Sequence, residues 1–303
     1  MASLKAIRRR IASVKSTQQI TRAMKLISAA RLRRAQEALA DSLPYSQALA
    51  RVADSLLTSE GISVAPVEGA QKRSLLVVIG SDRGLAGGYN SNVFRKAEQV
   101  MRDLAGNGLA LELFAVGKKA VDHFTRTRVP IALSRVENLP RLATIALARD
   151  IATKMLADYR TGAIDETGIV YAHFQSAMTQ HPTYDLLLPV KPPSDVGIAD
   201  HSSVSVEISK TDAPKVDYLV EPSRAELVPV VLRGYLEASV YHALLEAEAS
   251  EQAARMTAMD GATNNATKMI SRYTLEMNRA RQSQITRELM DIVGGAEALR
   301  GQA

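Results

Sequence analysis

The sequence predicts an α/β protein in which two long terminal helices form an antiparallel coiled coil around an inserted Rossmann-like α/β domain of mostly parallel strands. Two observations lead to this prediction. Apolar residues recur with helical spacing at both ends, whereas buried-strand runs alternate with helices between them. Aromatic residues make up 4% of the 303 residues and apolar residues 46%, a composition typical of long helices. The expected segments are an N-terminal helix over 1–58, an α/β domain over 73–205 and a C-terminal helix over 222–300.

The N-terminal helix is predicted from an apolar stripe that begins with the spacing of a coiled-coil seam. Its first members, at steps of three, four and three residues, are Leu4, Ile7, Ile11 and Val14. Its expected continuation, with a polar admixture, is Thr17, Ile20, Met24 and Ile27. Pro44 should kink this helix rather than end it, because the stripe resumes from Ala48 to Leu56.

The middle of the chain alternates between apolar runs and helical stretches. Strands are expected over 75–80, 109–116, 131–136, 168–174 and 184–190. Helices are expected over 92–104, 118–125 and 142–159. Such alternation favours a mostly parallel sheet with crossover helices. The polar stretch from 190 to about 205 is typical of an exposed loop.

The C-terminal helix should begin at a capping box formed by Ser223 and Glu226. Its apolar stripe runs through Ala266, Ile270, Tyr273, Met277, Ala280 and Gln284, and then, one residue on, through Ile285, Leu289, Ile292, Ala296 and Leu299. Roughly 75 residues that rise ~1.5 Å each would give a rod of ~110 Å. This helix exceeds the N-terminal one, so its tip should project beyond its partner.

Positive charge is concentrated at the start of the chain, where residues 1–36 hold ten basic side chains and no acid. Three interpretations are open: a mitochondrial transit peptide, a nucleic-acid patch, and a helix that docks on acidic protein surfaces. The unbroken run into a long helix counts against the transit peptide. The third interpretation is favoured because a nucleic-acid patch leaves the apolar tip of the C-terminal helix unexplained. The absence of cysteine excludes disulfides and thiolate chemistry.

The loop GSDRGLAGG at 80–88 follows a predicted strand, as phosphate-binding loops do. Its glycines do not have the G-x-G-x-x-G spacing, and no Gly-Lys-Ser/Thr follows. We therefore expect a tight turn between strand and helix, with Asn90 or Ser91 near the helix cap. Asp82 and Arg83 should pair locally or contact a partner.

Other catalytic patterns are also missing from the sequence. It contains neither H-E-x-x-H nor G-x-S-x-G, and its five histidines lack metal-ligand spacing. His173 and His242 are interpreted as structural, and Asp195, Asp200 and His201 as exposed loop residues. No catalytic residue, cofactor or metal is expected.

Three stretches resemble the gamma subunits of F-type ATP synthases. They are IRRRIASVKSTQQITRAMKLIS from residue 7, SDRGLAGGYNSN from residue 81, and SEQAARMTAMDGATNNATKMI from residue 250 with NRARQSQITRELMDIVGGAEAL from residue 278. The resemblance implies a non-catalytic central-stalk rotor that couples ion flow to ATP synthesis. Its implied partners are three alpha and three beta subunits, epsilon and the membrane ring of c subunits. It implies no nucleic acid, and a peripheral place at the cytoplasmic face of a bacterial inner membrane or, alternatively, at an organellar inner membrane.

The resemblance also implies which side chains contact the alpha/beta ring or support the coiled coil. By motif position they are Met24, Arg255, Arg281, Gln282, Thr286 and Glu288. The apolar and basic residues of the tip add Ile285, Leu289, Ile292 and Arg279 as expected partner contacts. Gln19 and Asp260 stand where the family often has lysine. The resemblance therefore gives less support to contacts by these two residues, although the family assignment is unaffected. The competing hypotheses are a nucleic-acid-binding coiled coil and a Rossmann-type oxidoreductase.

Overall fold

The structure, a computed structural model, describes residues 4–58, 73–136, 143–190, 220–221 and 223–300. The predicted fold class is confirmed, and each predicted strand and helix has a counterpart. In chain order the elements are α1 (Leu4–Thr58), β1 (Arg73–Ile79), α2 (Tyr89–Gly106), β2 (Ala110–Val116), α3 (Lys118–Arg126), β3 (Ile131–Arg135), α4 (Ile145–Arg160), β4 (Glu166–Phe174), β5 (Gln180–Leu188) and α5 (Arg224–Arg300). The loop predicted after Val190 lies outside the described residues, and with it Asp195, Asp200 and His201.

The chain divides into two compact units, each built from parts of both terminal helices. Unit 1 combines the start of α1, up to Ile27, with α5 from Met256 onward, and unit 2 holds the chain from Ser28 to Arg255. α1 continues through Pro44 and α5 through Pro229. The domain limits 1–58, 73–205 and 222–300 stay a prediction.

Unit 2 contains a five-stranded sheet in the order β3-β2-β1-β4-β5. β1 pairs in parallel with β2 and β4, and β2 pairs in parallel with β3. β5 is antiparallel to β4 and begins at Gln180, four residues before the predicted start. The early part of β5, QHPT, is polar and lies at a sheet edge, so an apolar run does not mark it.

The two faces of the sheet bury different helices. β1 illustrates the alternation: Leu75, Val77 and Ile79 face α4 and α5, whereas Leu76 and Val78 face α2 and α3. Because both faces are covered, the central strand β1 is apolar from Leu75 to Ile79, as is typical of parallel sheets. The buried members of α5 on the first face are Leu232, Leu236, Val240, Ala243, Leu244, Leu245 and Ala247.

In unit 2, α5 also contacts the second half of α1. A Cβ at Gly234 would lie 3.3 Å from Leu49 Cδ2, so the glycine allows the two helices a close approach. Ser223 caps the start of α5, its Oγ accepting the amide of Glu226 at 3.4 Å and lying 3.2 Å from the Glu226 carboxylate. The predicted capping box therefore marks the start of the helix.

Gly117, between β2 and α3, provides the first mutational prediction. Its φ is 88°, and an added Cβ would overlap the carbonyl group of Gly80. Gly117→Ala is therefore expected to cost about 2 kcal/mol or more in the free energy of unfolding, measured by urea denaturation. Gly106→Ala is the control, because no atom of the described part of the chain lies within 4 Å of its Cβ position. Equal stability of the two variants would contradict the argument.

Candidate functional site on the C-terminal helix

A polar segment of α5 is buried on all sides. Every residue from 242 to 253 is buried, although half of them are polar: His242, Glu246, Glu248, Ser250, Glu251 and Gln252. A helix is normally polar only where it faces water. The polar side chains of this segment must therefore find partners within the protein.

Hydrogen bonds fasten this segment to the sheet and to the start of α4. Ser250 Oγ donates to the carbonyl of Ala172 on β4 at 2.9 Å. The amide of Ala143, just before α4, donates to a Glu248 carboxylate oxygen at 3.2 Å. His173 on β4 pairs with Glu246 at 2.6 Å. These contacts fix the rotation of α5 about its own axis within unit 2, because two of the bonds join the helix to β4 and the third joins it to the start of α4.

Arg255 connects α5 to the glycine-rich loop. Its guanidinium donates to the carbonyl oxygens of Arg83 at 3.2 Å and Gly84 at 3.4 Å, and it pairs with Glu251. Burial raises the pKa of Glu251, and the charge of Arg255 opposes that rise. Burial also raises the pKa of the nearby Tyr89 hydroxyl, and Glu251 adds to the effect.

The loop between β1 and α2 is held by local bonds as well. Asn90 Oδ1 accepts the amide of Ser81 at 3.1 Å, and Asp82 Oδ1 accepts the amide of Lys118 at 2.9 Å. The N-cap of α2 is Gly88, and no side chain within the described ranges caps the helix, so Asn90 braces the loop instead. The tight turn uses positive φ at Gly87, 55°, and at Leu85, 64°.

The position at which doubly wound folds bind nucleotides is filled by the protein's own helix. In such sheets ligands lie at the carboxyl ends of the strands, where the chain switches direction. Here that switch point lies between β1 and β4. Ser250 contacts the carboxyl half of β4, and Arg255 contacts the loop after β1. The glycine-rich loop therefore provides the carbonyl groups that bind Arg255 of α5.

In unit 1, the seam between α1 and α5 has a polar centre. Gln18 bonds Thr267 at 2.7 Å, Thr21 bonds Thr263 at 2.8 Å, and Lys25 pairs with Asp260 at 2.6 Å. These steps run in opposite directions along the two helices, so the pair is antiparallel.

The predicted seam continuation at Thr17, Ile20 and Ile27 is wrong. Ile20 is 57% and Ile27 54% exposed, and Thr17 is exposed. The heptad continues instead through Gln18, Thr21 and Lys25, whose polar groups find polar partners across the seam. Met24, beside this face, is half-buried.

The end of α5 lies beyond its partner in unit 1. The register of the three polar pairs, extended to Leu4, places that residue opposite about Arg281. All residues from 281 to 294 are exposed, including five large apolar side chains: Ile285, Leu289, Met290, Ile292 and Val293. A contiguous exposed apolar surface of this kind is typical of a protein interface.

The ten predicted contact residues fall into two groups. Arg255 belongs to unit 2 and is only 7% exposed. Met24 and the remaining eight belong to unit 1; those eight are exposed on α5: Arg279, Arg281, Gln282, Ile285, Thr286, Glu288, Leu289 and Ile292. Sequence reasoning missed the bonds of Arg255 inside the chain, because only the fold brings residues 83 and 255 together.

Among the described residues, no cluster of three or more His, Asp or Glu side chains is suited to a metal ion. No helix within the described ranges is long and apolar enough to cross a bilayer.

Comparison with known proteins places this architecture in a family. The family model for ATP synthase matches residues 3–299. The ATP synthase gamma chain of Pelotomaculum thermopropionicum is 43% identical over 301 residues, which cover 99% of this chain and all of the relative. That of Geobacter sp. is 41% identical over 303 residues, with coverage of 99% and 100%. The chain belongs to the ATP synthase gamma chain family.

Solved structures share the fold of this gamma chain family member at low identity. A chain of the Euglena gracilis mitochondrial ATP synthase (OSCP/F1/c-ring, rotational state 3) aligns with a TM-score of 0.66 and 19% identity, covering 98% of this chain and 95% of its own. A chain of the Tetrahymena thermophila mitochondrial ATP synthase central stalk/c-ring aligns with a TM-score of 0.57 and 24% identity, covering 80% and 99%.

One departure from the gamma chain pattern now has a structural explanation. The resemblance implies a lysine at position 260, whereas this chain has Asp260, which pairs with Lys25 across the seam at 2.6 Å. A lysine at 260 would place two ammonium groups against each other, which is unfavourable. Asp260 therefore suits the lysine that this chain has at position 25.

Proposed function

We propose that this chain is the central-stalk rotor subunit of a bacterial F-type ATP synthase. In this role it turns inside a ring of three alpha and three beta subunits, beside epsilon, and is driven by the membrane ring of c subunits. Membership of the gamma chain family supports the proposal. The observation that carries it is the exposed apolar end of α5, which leaves its own partner helix and needs another surface to cover it.

The rotor couples its rotation to catalysis because it presents different contacts to three chemically identical beta subunits. A two-helix rod has no threefold symmetry, so each beta subunit meets a different face of it. Differential contacts are what shifts a conformational equilibrium. Turning the rod therefore exchanges the states of the three catalytic sites, and linkage makes nucleotide turnover drive the rod in return.

The proposed contact surfaces follow from exposure and charge. The apolar side chains Ile285, Leu289 and Ile292 can turn in an apolar sleeve without strong directional bonds to break. Below them Arg279 and Arg281, both exposed, can meet acidic loops through charge-assisted contacts. Gln282, Thr286 and Glu288 line the same exposed stretch, and half-buried Met24 adds a contact from α1. Arg255 acts through the loop at 83–84 that it holds.

The chain itself is proposed to have no catalytic site and no cofactor. It is peripheral to the cytoplasmic face of the inner membrane through the c ring and binds no nucleic acid. An oxidoreductase function is disfavoured because α5 fills the crevice where a dinucleotide would bind.

Co-expression with the alpha and beta subunits of the same host tests the proposal. One copy of this chain should elute with three alpha–beta pairs, and the complex should hydrolyse ATP whereas the isolated chain should not. If the chain elutes alone and the activity of the ring is indifferent to it, the proposal is wrong. Salt-dependent binding to DNA or RNA would then be the next measurement.

Truncation after Met290 is expected to impair coupling more than assembly. The truncated chain loses Ile292 and Val293, which are 68% and 61% exposed, so its own fold loses little. Torque in single-molecule rotation and ATP-driven ion pumping measure the effect in the assembled complex. A chain that ends at Arg300 is the control and should behave as wild type. Unchanged torque and pumping in the shorter chain would contradict the role given to the tip.

A further inference from the structure

Glu246 on α5 is a buried carboxylate whose two oxygens face two different histidines. His173 Nδ1 on β4 lies 2.6 Å from Oε2, and His242 Nε2, one helical turn before Glu246, lies 3.2 Å from Oε1. The Glu246 side chain is only 5% exposed. Burying a carboxylate is costly unless it is paired, so the charge on the imidazoles decides the stability of this contact.

The geometry assigns the variable charge to His173. His242 is buried, and its second ring nitrogen, Nδ1, has no hydrogen-bond partner among the residues that the structure describes. Protonation of His242 would create a buried N–H without an acceptor, so this ring is best satisfied as the neutral tautomer that donates from Nε2 to Glu246. The His173 side chain is 30% exposed and can exchange a proton with water.

The other titratable groups around this contact are Asp185, Tyr171, Tyr235 and His181, which lies directly across from His173 on β5 and bonds Gln175. The Glu246 hydrogen bond raises the pKa of His173, and the charge of Asp185 on β5 adds to this rise. Burial raises the pKa of the Tyr171 hydroxyl, and Asp185 and Glu246 add to that rise. Burial raises the pKa of Tyr235 on α5, and Asp185 adds to this rise as well. The groups that favour the charged form of Glu246 are the two histidines, and no lysine or arginine of the described chain contributes. A proton on His173 is therefore the available positive charge.

We propose that His173 and Glu246 form a pH-sensitive ionic joint that locks α5 to the sheet when His173 is protonated and loosens when it is not. The inference goes beyond the rotor function and does not depend on it, because every group involved belongs to unit 2 of this chain. It makes the attachment of the C-terminal helix to the α/β domain responsive to pH near neutrality.

The direction of the pH dependence follows from linkage. The hydrogen bond to Glu246 raises the pKa of His173 above its usual value, although burial opposes this. Burial alone would raise the pKa of Glu246, but the hydrogen bonds from His173 and His242 outweigh it and lower this pKa. The stabilisation by His173 is fully present below the pKa of an unfolded histidine and is lost as pH rises through the folded pKa. The stabilisation by Glu246 is lost only in acid.

The test compares the pH dependence of unfolding in full-length variants. His173→Asn places an amide near the position of Nδ1 but cannot be protonated, and Glu246→Gln removes the charge from the other side. His181→Asn is the matched control, since His181 lies directly across from His173 on β5, is exposed, and bonds Gln175 instead. Urea denaturation is measured from about pH 5.5 to about pH 8.5, a range that spans histidine titration.

The wild-type chain and His181→Asn should lose stability as pH rises. Their unfolding constants should increase by up to about tenfold per pH unit between the unfolded and folded pKa of His173, the limit for one proton. In His173→Asn and Glu246→Gln this increase should be absent. A pH dependence in His173→Asn equal to that of the wild type would overturn the proposal.

Imidazole nitrogen NMR of the wild-type chain gives a second readout that does not require a variant to be stable. The signals of His173 should pass from protonated to neutral at a higher pH in the folded chain than in the chain unfolded by urea. Equal titration midpoints for His173 in the folded and in the unfolded chain would overturn the proposal.

Discussion

Arg255→Ala should destabilise the full-length chain by about 3–5 kcal/mol, the range for a buried ion pair that loses one partner. Arg255 is 7% exposed and Glu251 is equally buried, so the substitution leaves a carboxylate without its counter-ion. It also removes the donors to the carbonyls of Arg83 and Gly84, which secure the glycine-rich loop to α5. Urea denaturation followed by circular dichroism measures the loss.

Arg272→Ala is the matched control, because it removes the same side chain from the same helix. Arg272 is 79% exposed and pairs with Glu276 on the surface, so its loss should change the unfolding free energy by less than about 1 kcal/mol. Similar effects of the two substitutions would show that the buried network is not what stabilises this part of α5.

The cost of Arg255→Ala should also depend on pH. Burial raises the pKa of Glu251 even with Arg255 present, and removal of the arginine raises it further. A raised carboxyl pKa means that the folded state holds the proton more strongly, so stability falls as pH rises. The difference between wild type and variant should therefore be smaller near pH 5 than near pH 8. A larger difference at the lower pH would contradict this assignment.

The strands and helices of the α/β domain were predictable because their signals are local. Leu75 to Ile79 is an apolar run that ends in a glycine-rich turn, and both faces of β1 are indeed buried. The start of β5 escaped prediction because its polar residues lie at a sheet edge beside β4. There, pairing with the neighbouring strand decides the structure, and local composition carries little information about it.

The polar segment of α5 shows what a single helix cannot reveal. Its sequence, HALLEAEASEQAAR from His242, reads as a helix with one solvated face, yet all of its first twelve residues are buried. The partners that permit this, Ala143, Ala172 and His173, lie 73 to 105 residues away along the chain. A spacing rule has no access to such pairings.

The error in the α1 seam has a related cause. The choice of Thr17, Ile20 and Ile27 over Gln18, Thr21 and Lys25 gave priority to apolar character over the strict heptad. Polar side chains can occupy a seam when the facing helix supplies polar partners, and they then specify the register. Those partners, Thr263, Asp260 and Thr267, were visible in the sequence but could be matched only with the register known.

The same substitution at two positions of α5 should separate a buried from an exposed position of the helix. Leu244 is fully buried against the sheet, whereas Leu275 is 61% exposed. Leu244→Ala should lower the unfolding free energy by about 2–5 kcal/mol, because it removes buried methyl groups and leaves a cavity. Leu275→Ala should change it by less than about 0.5 kcal/mol.

Both positions are helical, so the difference in helix propensity between leucine and alanine is common to the two variants and cancels in the comparison. The remaining difference in unfolding free energy between the two variants measures the effect of burial. If the two variants unfolded at the same urea concentration, α5 would not be anchored by its packing on the sheet. The ionic contacts of Arg255 and Glu246 would then have to hold it. In that case Arg255→Ala should lower the unfolding free energy by more than about 3–5 kcal/mol. If Leu244→Ala alone is destabilised, packing of the apolar face holds α5 on the sheet, and the polar contacts fix the rotation of α5 about its axis.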